Sequence, residues 1–439
     1  MSRSGSFQTL DEWLAWLSTL TPNEIELGLD RTRLVLDRLA LRRPALVIHV
    51  AGTNGKGSCV IMLEAFLRRS GLRVGAYTSP HLQKYNERIR VDGVDCGDQE
   101  IMAAMQRVEA CRQDLPLTYF EFGTLAAFCV FEHRQVDAVV LEIGMGGRLD
   151  AVNALDPDGG IITNISLDHC EWLGHDVESI GFEKAGILRR GRPFIFGAAG
   201  MPQSVRQQAN EVGANLLVAG TDFRARRAGG EQRTWTWEGR RISLAGLNRP
   251  ALAADVQIDN AAAVLAMLEA LGLDELLQRD LVNEVLGSLV LPGRLQTVFS
   301  GREWLLDVAH NAGSAAVLAQ SLSVIRGNRR VVAVIGMLQD KDAAALIGPL
   351  CPVVDSWIAV PAVSGRARPA SELASVIAQV CQKPCLITDD VGSALRAAED
   401  RAGDSDIALV CGSFYVVGPA LDTLYSRRQS GPTPRNSEF

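Results

Sequence analysis

A glycine-rich stretch, AGTNGKGS from Ala51 to Ser58, constrains the fold of this chain more than any other feature. It lies between an apolar β-branched segment and a segment whose apolar residues have helical spacing. Glycines let the backbone curl until its N–H groups converge, and the N-terminus of the next helix adds positive potential. Lys56 supplies a full charge for nucleotide phosphates. The stretch predicts a phosphate-binding loop made of Gly52, Thr53, Asn54, Gly55, Lys56, Gly57 and Ser58.

This loop departs from the usual GxxxxGK[ST] pattern, because Gly57 separates Lys56 from Ser58 and the first glycine is too close to the lysine. A glycine-rich turn with a chance lysine is the alternative interpretation. The order of strand, loop, lysine, hydroxyl and helix favours nucleotide binding. Taken alone, the loop indicates only that a nucleotide binds.

The alternation of short β-branched runs with helical segments from Pro44 to about Phe196 predicts a mainly parallel sheet covered by helices. The segment LVLPGRLQTVFSG breaks this pattern with Pro292 and Gly293, and a second alternation follows. We therefore predict an α/β protein with a P-loop ATPase domain over residues 1–291. A smaller Rossmann-like α/β domain is expected over residues 292–426, with a disordered tail over 427–439.

Composition limits the class of protein. A net charge of −7 argues against a broad nucleic-acid-binding face. The sequence has no apolar run near the roughly 18 residues of a membrane span, and its N-terminus lacks a secretory signal pattern. The nine cysteines are scattered and free of CxxC pairs, which indicates neither a disulfide framework nor a zinc cluster. We expect a soluble cytoplasmic protein that binds no nucleic acid and no membrane.

Seven further motifs extend the pattern beyond the loop. They are YTSPHL (Tyr77 to Leu82), NERIRVDG (Asn86 to Gly93), LEIGMGGRLDAVN (Leu141 to Asn153), SLDHCEWLG (Ser166 to Gly174), EKAGI (Glu183 to Ile187), LPGR (Leu291 to Arg294) and DVAHNAGS (Asp307 to Ser314). Together with GTNGKGS they resemble the folylpolyglutamate synthase branch of the Mur ligase superfamily. The resemblance spans roughly Ile25 to Gly418, which is nearly the whole chain.

The resemblance implies an ATP-dependent ligase that adds L-glutamate to 7,8-dihydropteroate and to the γ-carboxylate of reduced folates. A carboxylate must be activated before an amine can attack it, and the family does this through an acyl phosphate. ATP and two magnesium ions are the implied cofactors, and a monovalent cation such as K⁺ is compatible with them. The resemblance also implies a monomer whose partners are small-molecule substrates.

By the same resemblance, Ser58, Ser79, Glu142, His169 and Lys184 hold magnesium. Glu142 is predicted at the carboxyl end of a strand, where ligands of open α/β sheets gather. The alternative makes Glu142 an exposed strand end and His169 a loop or helix-cap residue, since imidazole is an unusual magnesium ligand.

An unmodified Lys184 cannot bind a metal ion, because its ammonium group offers only donors and repels the ion. In the superfamily the matching lysine is carbamylated by carbon dioxide, which turns it into a carboxylate. The alternative is an ordinary helix lysine paired with Glu183 or Glu178. The resemblance thus gives Lys56, His169, Lys184 and Arg294 catalytic roles.

The second domain is expected to close on the nucleotide. Resemblance assigns Asn260, Arg294, Asp307 and His310 to ATP, with Asp307 on the ribose and Arg294 on the phosphates. Arg294 follows the Pro-Gly hinge, so a domain motion could bring its guanidinium to the transferring phosphoryl group. The alternative is that Arg294 braces the linker.

The pterin pocket is assigned from the dihydrofolate synthase members of the family. The matching residues are Ile25, Leu27, Gly28, Thr118, Phe120, Asp150 and Ala151. Phe120 could stack on a flat ring, although a core aromatic is the alternative, and Asp150 could accept hydrogen bonds from it. Arg88 is a candidate partner for a substrate carboxylate or else a surface arginine.

Three other functions stay open at this point. The chain could only extend polyglutamate, or act on a cell-wall nucleotide, although too few residues precede the loop for the extra domain of those enzymes. It could also be a nucleotide-binding regulator. The presence of Ser79, Glu142, His169 and Lys184 speaks against a regulator, because nucleotide binding alone needs fewer such groups.

Overall fold

The computed structural model describes residues 7–21, 25–227 and 234–430. The chain divides into two compact units, Met1–Ala251 with Val256–Val290, and Leu252–Asp255 with Leu291–Phe439. The short segment Leu252–Asp255 therefore groups with the second unit, although the sequence placed it in the first domain. The predicted α/β class, with a mainly parallel sheet followed by a separate smaller α/β domain, is confirmed.

The first unit is built on one eight-stranded sheet. Its strands are β1 (Leu46–Ala51), β2 (Val74–Tyr77), β3 (Ile89–Val91), β4 (Val94–Asp95), β5 (Ala138–Glu142), β6 (Gly159–Ile162), β7 (Pro193–Phe196) and β8 (Asn215–Val218). They lie in the order β4-β3-β2-β5-β1-β6-β7-β8; β3 pairs antiparallel with both β2 and β4, and the other neighbouring strands are parallel. The central strands are buried apolar runs, as a sheet covered on both faces requires.

Strand register brings three loops together at one edge of this sheet. β1 pairs in parallel with β5 and β6, with Val50 opposite Glu142 and Ala51 opposite Ile162. The carboxyl ends of these strands therefore meet. The phosphate loop, Glu142 and the segment after Ile162 leave the sheet side by side.

In the described part of the first unit there are ten α-helices. They are α1 (Leu10–Leu17), α2 (Asp30–Leu39), α3 (Lys56–Arg69), α4 (Asp98–Arg112), α5 (Tyr119–His133), α6 (Cys170–Leu173), α7 (Val177–Ala185), α8 (Gln203–Val212), α9 (Val256–Ala270) and α10 (Arg279–Gly287), with 3-10 helices at Tyr85–Arg88, Ala151–Ala154 and Asp274–Leu276. α3 buries Val60, Leu63, Phe66 and Leu67, the apolar stripe seen in the sequence. Gly71, just after its C-cap, has a φ of +83°, a conformation that favours glycine.

A three-stranded antiparallel sheet also belongs to this unit. Its strands are β9 (Arg224–Arg227), β10 (Thr234–Glu238) and β11 (Ser243–Asn248). The TWTWE sequence of β10 alternates polar and aromatic residues, and its two tryptophans face inward. Trp235 and Trp237 are buried, and Trp237 Nε1 donates to Ala262 O of α9 at 3.2 Å. Alternation gives the strand one inward face, which packs on α9.

The second unit has a six-stranded sheet. Its strands are β12 (Gln296–Phe299), β13 (Glu303–Leu306), β14 (Val331–Ile335), β15 (Ser356–Ala359), β16 (Cys385–Ile387) and β17 (Ile407–Cys411), and its helices are α11 (Ala312–Ile325), α12 (Ala343–Ile347), α13 (Ala370–Cys381), α14 (Val391–Arg401) and α15 (Phe414–Ser430), with a 3-10 helix at Gly348–Leu350. The strand order is β12-β13-β17-β14-β15-β16, and all but β12 are parallel. α15 includes the first four residues of the predicted disordered tail, because the helix continues to Ser430. Residues 431–439 lie outside the described ranges.

One pair of cysteines corrects the sequence interpretation. Cys351 and Cys381 form a disulfide bond, and the other seven cysteines are free. Cys351 follows the 3-10 helix Gly348–Leu350, and Cys381 ends α13. The tertiary fold sets this pairing, so cysteine spacing gave no sign of it.

Within the described residues, no helix has the length and apolar character needed to cross a bilayer.

His49 makes the stability of the first unit depend on pH. Its side chain is buried in β1, and burial lowers its pKa to about 3. Above about pH 6.5 both the folded and unfolded states hold a neutral imidazole. Below that pH only the unfolded state takes the proton, so stability falls as the pH falls from 6.5 towards 3. We expect the wild type to lose about 2 kcal/mol more than His49→Leu between pH 7 and pH 5.

Urea unfolding of both proteins at the two pH values measures this difference. The loss of unfolding free energy caused by the different shape of leucine is the same at both pH values. It therefore cancels when the change between pH 7 and pH 5 is compared. Equal losses of unfolding free energy in the wild type and the variant would contradict the lowered pKa of His49 in the folded state.

Candidate active site

The phosphate loop needs glycine at two positions. Gly52 has a φ of +143°, and Gly55, the N-cap of α3, has a φ of +85°. A Cβ on Gly52 would lie 1.8 Å from Thr163 Oγ1, and a Cβ on Gly55 would lie 2.7 Å from Asn260 Oδ1. The loop is thus packed closely on both sides. Its position at the start of α3 presents first-turn N–H groups, which have no partner within the helix, to an anion.

Gly52→Ala is expected to destabilise the first unit by about 3 kcal/mol and to weaken Mg-ADP binding, because the new methyl group would collide with Thr163. Urea unfolding and calorimetric titration with ADP measure the two effects. Gly191→Ala is the matched control, because Gly191 also has a positive φ but no atom lies within 4 Å of its Cβ position. We expect it to cost only about 1 kcal/mol. Equal losses in the two variants would contradict this packing argument.

Two lysines meet at the carbonyl of Gly52. Lys56 Nζ donates to Gly52 O and Thr53 O, each at 3.1 Å, and Lys184 Nζ donates to Gly52 O at 3.0 Å. Lys184 is 4% exposed. Burial and the charge of Lys56 lower its pKa to about 7, against the opposing effects of Asp168 and Asp150.

The alternative that Lys184 pairs with a neighbouring glutamate is wrong. Glu183 forms an ion pair with Arg148 at 2.8 Å. Glu178 accepts hydrogen bonds from the backbone N–H groups of Gln203 and Ser204. The Lys184 side chain instead extends inward from α7 to the phosphate loop.

Three of the predicted metal-binding residues lie at the same edge of the sheet. Glu142 ends β5 and is 5% exposed, and Ser58 lies in the first turn of α3 and is 2% exposed. The backbone N–H of Ser79 donates to Glu142 Oε2 at 3.2 Å. A Cβ on Gly57 would lie 3.6 Å from the same oxygen, so the carboxylate lies against the start of α3.

The described side chains could hold a metal ion only together with other ligands. No three His, Cys, Asp or Glu side chains converge as a metal cage in residues 7–21, 25–227 and 234–430. Magnesium typically takes one or two carboxylates and completes its shell with phosphate oxygens and water. A buried carboxylate beside a phosphate loop supplies such a site, and Glu142 is therefore not the exposed strand end of the alternative interpretation.

His169 occupies the cap position of a short helix. It is the N-cap of α6, has a φ of +51°, and makes no side-chain cap hydrogen bond. Its backbone N–H donates to Asp168 Oδ1 at 2.9 Å, and its ring Nε2 lies 4.0 Å from Asp168 Oδ2. The helix-cap description is thus correct for its backbone, whereas a metal-binding role of the partly exposed ring stays a prediction.

A backbone contact joins two parts of the predicted pterin pocket. The N–H of Gly28 donates to Leu149 O at 3.2 Å, which links the loop of Ile25, Leu27 and Gly28 to the segment containing Asp150 and Ala151. Asp150 accepts hydrogen bonds from the N–H groups of Met145 and Val152. Burial raises the pKa of Asp150 to about 7. Ala151 is buried and begins the 3-10 helix that Asp150 caps.

Thr118 and Phe120 lie at the start of α5. Thr118 is its N-cap, and its Oγ1 accepts from the N–H of Glu121 at 3.2 Å, so it has at least a structural role. Phe120 is partly buried and lies 6.1 Å from Tyr77 between ring centroids. A Cβ on Gly144 would lie 2.5 Å from Phe120 Cζ, so only glycine leaves room for this ring. Both interpretations of Phe120 therefore remain open.

Arg88 is buried, and the surface-arginine alternative is wrong. Its Nε donates to His81 Nδ1 at 2.9 Å. Its guanidinium carbon lies 5.3 Å from the ring centre of Tyr85 and 5.7 Å from that of Tyr119. Sequence reasoning missed His81, Tyr85 and Tyr119, although His81 lies within YTSPHL and Tyr85 directly precedes NERIRVDG.

The predicted nucleotide residues of the second unit also lie together. Both oxygens of Asp307 accept backbone hydrogen bonds, from Leu295 at 2.9 Å and from Ala309 at 2.8 Å. Burial raises the pKa of Asp307, and the charge of Arg294 opposes this. The Phe414 ring lies 5.3 Å from the Arg294 guanidinium and 6.2 Å from the His310 ring. Asn260 belongs instead to the first unit, beside Gly55.

Sequence reasoning also missed the segment that follows β6. Thr163, Asn164 and Ser166 hydrogen-bond to the backbone or side chains of Thr53 and Asn54 in the phosphate loop. A polar TNIS sequence at the carboxyl end of a central strand was the available signal. Thr163 and Asn164 belong to none of the recognised motifs, the next of which begins at Ser166.

Comparison with known proteins gives two domain matches. Residues 50–268 match the Mur ligase middle domain, and residues 293–414 match the Mur ligase glutamate ligase domain. The two matches fall in the first and second compact units respectively, apart from the segment that groups with the second unit.

One relative and two solved structures are similar to the chain along almost their whole length. The dihydrofolate synthase/folylpolyglutamate synthase of Escherichia coli (strain K12) is 40% identical over 423 residues, 96% of this chain and 97% of that protein. The structure of Escherichia coli FolC in complex with DHPP and ADP gives a TM-score of 0.90 at 39% identity, covering 98% of this chain and 100% of that chain. A bifunctional folylpolyglutamate synthase/dihydrofolate synthase with Mn, AMPPNP and L-glutamate bound gives 0.87 at 39% identity, covering 97% and 100%.

Proposed function

The chain belongs to the dihydrofolate synthase/folylpolyglutamate synthase family of Mur ligases, and from that premise we infer that it is an ATP-dependent glutamate ligase. Its acceptors are 7,8-dihydropteroate, which gives dihydrofolate, and the γ-carboxylate of reduced folates, which gives polyglutamates. The relatives carry both names. Extension of polyglutamate alone is the alternative.

One observation carries the proposal for the chemistry. A phosphate loop, a buried carboxylate and a buried lysine converge at one edge of the sheet, with Lys56 and Lys184 on the same carbonyl. A protein that only binds a nucleotide needs the loop. Nucleotide binding alone does not require Glu142 and Lys184 to be buried beside the loop.

The reaction proceeds in two steps. A carboxylate oxygen of the acceptor attacks the γ-phosphorus of ATP, the bond to the β,γ-bridging oxygen breaks, and ADP leaves. The neutral amine of glutamate then attacks the carbonyl carbon of the acyl phosphate, the carbon–oxygen bond to phosphate breaks, and a proton is released. Lys56 and the first-turn N–H groups of α3 bind the phosphates and neutralise charge as it moves between oxygens.

We assign the metal positions to Ser58, Ser79, Glu142, His169 and a modified Lys184. Magnesium bound there supplies charge neutralisation for the phosphates. Glu142 is held for this task by the N–H of Ser79, and the burial of Ser58 keeps its hydroxyl at the start of α3. The number of ions, and the presence of K⁺, stay predictions.

We propose that carbon dioxide carbamylates Lys184. The neutral amine attacks the carbon of carbon dioxide, a carbon–nitrogen bond forms, and one proton is released. With a pKa of about 7, about half of the Lys184 amine is neutral at pH 7, against fewer than about one in a thousand at its usual pKa. The product is an anion beside Lys56, so the repulsion between two cations becomes an attraction.

The acceptor and the rest of the nucleotide are assigned by their matching motifs. Ile25, Leu27, Gly28, Thr118, Phe120, Asp150 and Ala151 are proposed to bind the pterin, and Arg88 a carboxylate. Asn260, Arg294, Asp307 and His310 are proposed to bind ATP. The mutual proximity of Arg294, Asp307 and His310 within the second unit supports a common role.

We also propose a cytoplasmic monomer that binds neither nucleic acid nor membrane. Seven of nine cysteines are free thiols, as is usual in a reducing compartment, although the Cys351–Cys381 disulfide is not.

The acyl phosphate path is tested with acceptor whose carboxylate oxygens are labelled with ¹⁸O. Transfer of one labelled oxygen to each phosphate released is expected, because the acceptor oxygen stays on phosphorus when the amine displaces it. Unlabelled phosphate would contradict the proposed path.

A further inference from the structure

The segment after β6 forms hydrogen bonds with three successive peptide groups of the phosphate loop. Thr163 Oγ1 donates to Asn54 O at 2.6 Å, and Asn164 Nδ2 donates to the same oxygen at 2.9 Å. The Asn54 N–H in turn donates to Asn164 Oδ1 at 3.1 Å. The Thr53 N–H donates to Asn164 O at 2.9 Å. Thr53 and Asn54 are therefore held by the side chains of Thr163 and Asn164 and by the Asn164 carbonyl, just after β6.

These contacts decide which way the loop amides point. In a trans peptide the C=O of one residue and the N–H of the next point in opposite directions. Because the Asn54 carbonyl is held towards Thr163 and Asn164, the N–H of Gly55 must point away from them. The same rule applies two peptides earlier, where Lys56 and Lys184 donate to the Gly52 carbonyl and the Thr53 N–H points to Asn164.

We propose that Thr163 and Asn164 are positioning residues that orient the Gly55 N–H towards the nucleotide phosphates before ATP arrives. Thr163 is buried, and the glycine at position 52 lets its hydroxyl approach the loop. Without these two side chains the Asn54–Gly55 peptide is free to rotate. Part of the binding free energy of ATP is then used to order this peptide. The inference rests on the proposed binding of ATP at this loop.

Thr163→Val removes the hydroxyl and keeps the shape. We expect it to raise the Kd for Mg-ADP and the KM for ATP by about fivefold, and Asn164→Ala, which loses two side-chain bonds, by about tenfold or more. The KM for glutamate and the melting temperature should stay near those of the wild type. Thr163→Ser keeps a hydroxyl and should restore nucleotide binding.

Thr388→Val is the matched control, because Thr388 Oγ1 also donates to a strand-end carbonyl, Ala359 O at 3.3 Å, but in the second unit. It should leave the Kd for Mg-ADP unchanged. The proposal is overturned if Thr163→Val and Asn164→Ala bind ADP like the wild type, if serine fails to restore binding, or if every KM and the melting temperature shift together. Failure of the wild type itself to bind ADP would instead overturn the proposed function.

Discussion

Replacing Lys184 with methionine is expected to lower kcat by about a thousandfold, while the fold and ADP binding persist. Methionine fills a similar volume but has no amine to carbamylate. The proposed carboxylate would be lost from the site, and Lys56 would face no anion there. Steady-state phosphate release and calorimetric ADP titration measure the two quantities.

Lys184→Arg distinguishes a carbamate from an ammonium at this position. Arginine keeps the positive charge but does not form a carbamate, so we expect it to be as inactive as the methionine variant. In the wild type, ¹³C NMR with labelled carbon dioxide should show a carbamate signal that grows as the pH rises through 7, because the neutral amine is the reactive form. An active arginine variant without this signal would contradict the assignment.

Lys56→Met should lower kcat by about a hundredfold or more, since the loop would lose its only full charge on the transferring phosphates. It has a second expected effect on Lys184. The charge of Lys56 helps to lower the pKa of Lys184, so removing it raises that pKa. At pH 7 less of the amine is neutral, and the carbamate also loses its neighbouring cation.

The carbamate titration should therefore move to higher pH in Lys56→Met, which the same ¹³C measurement follows. Arg148→Met is the control, because Arg148 pairs with Glu183 on the exposed side of α7, whereas burial and the charge of Lys56 lower the pKa of Lys184. A carbamate titration that is unchanged in Lys56→Met would contradict the electrostatic coupling of the two lysines.

Local patterns in the sequence were sufficient for much of the fold. Gly52 and Gly55 adopt the positive φ that a tight strand-to-helix loop requires, and their placement could be read directly from the sequence. The buried stripe of α3 follows from helical spacing. These features depend on neighbours a few residues apart, and sequence periodicity records such neighbours well.

Features that depend on distant residues could not be read in this way. The burial of Lys184 results from α7 packing beside the loop 132 residues earlier, as its bond to Gly52 shows. The same holds for the buried Arg88, for the inward face of Trp235 and Trp237, and for the Cys351–Cys381 disulfide. Asn164 shows the limit most clearly, because an asparagine after a strand carries no local sign of the loop that it holds.

We propose that this chain uses ATP to join glutamate to both pteroate and folate acceptors. Phosphate release from ATP, with magnesium and L-glutamate, should be compared with 7,8-dihydropteroate, with tetrahydrofolate and without any pterin. We predict glutamate-dependent release with both acceptors and little without them. Release with tetrahydrofolate alone would leave an enzyme of polyglutamate extension, and release with neither acceptor would contradict the account.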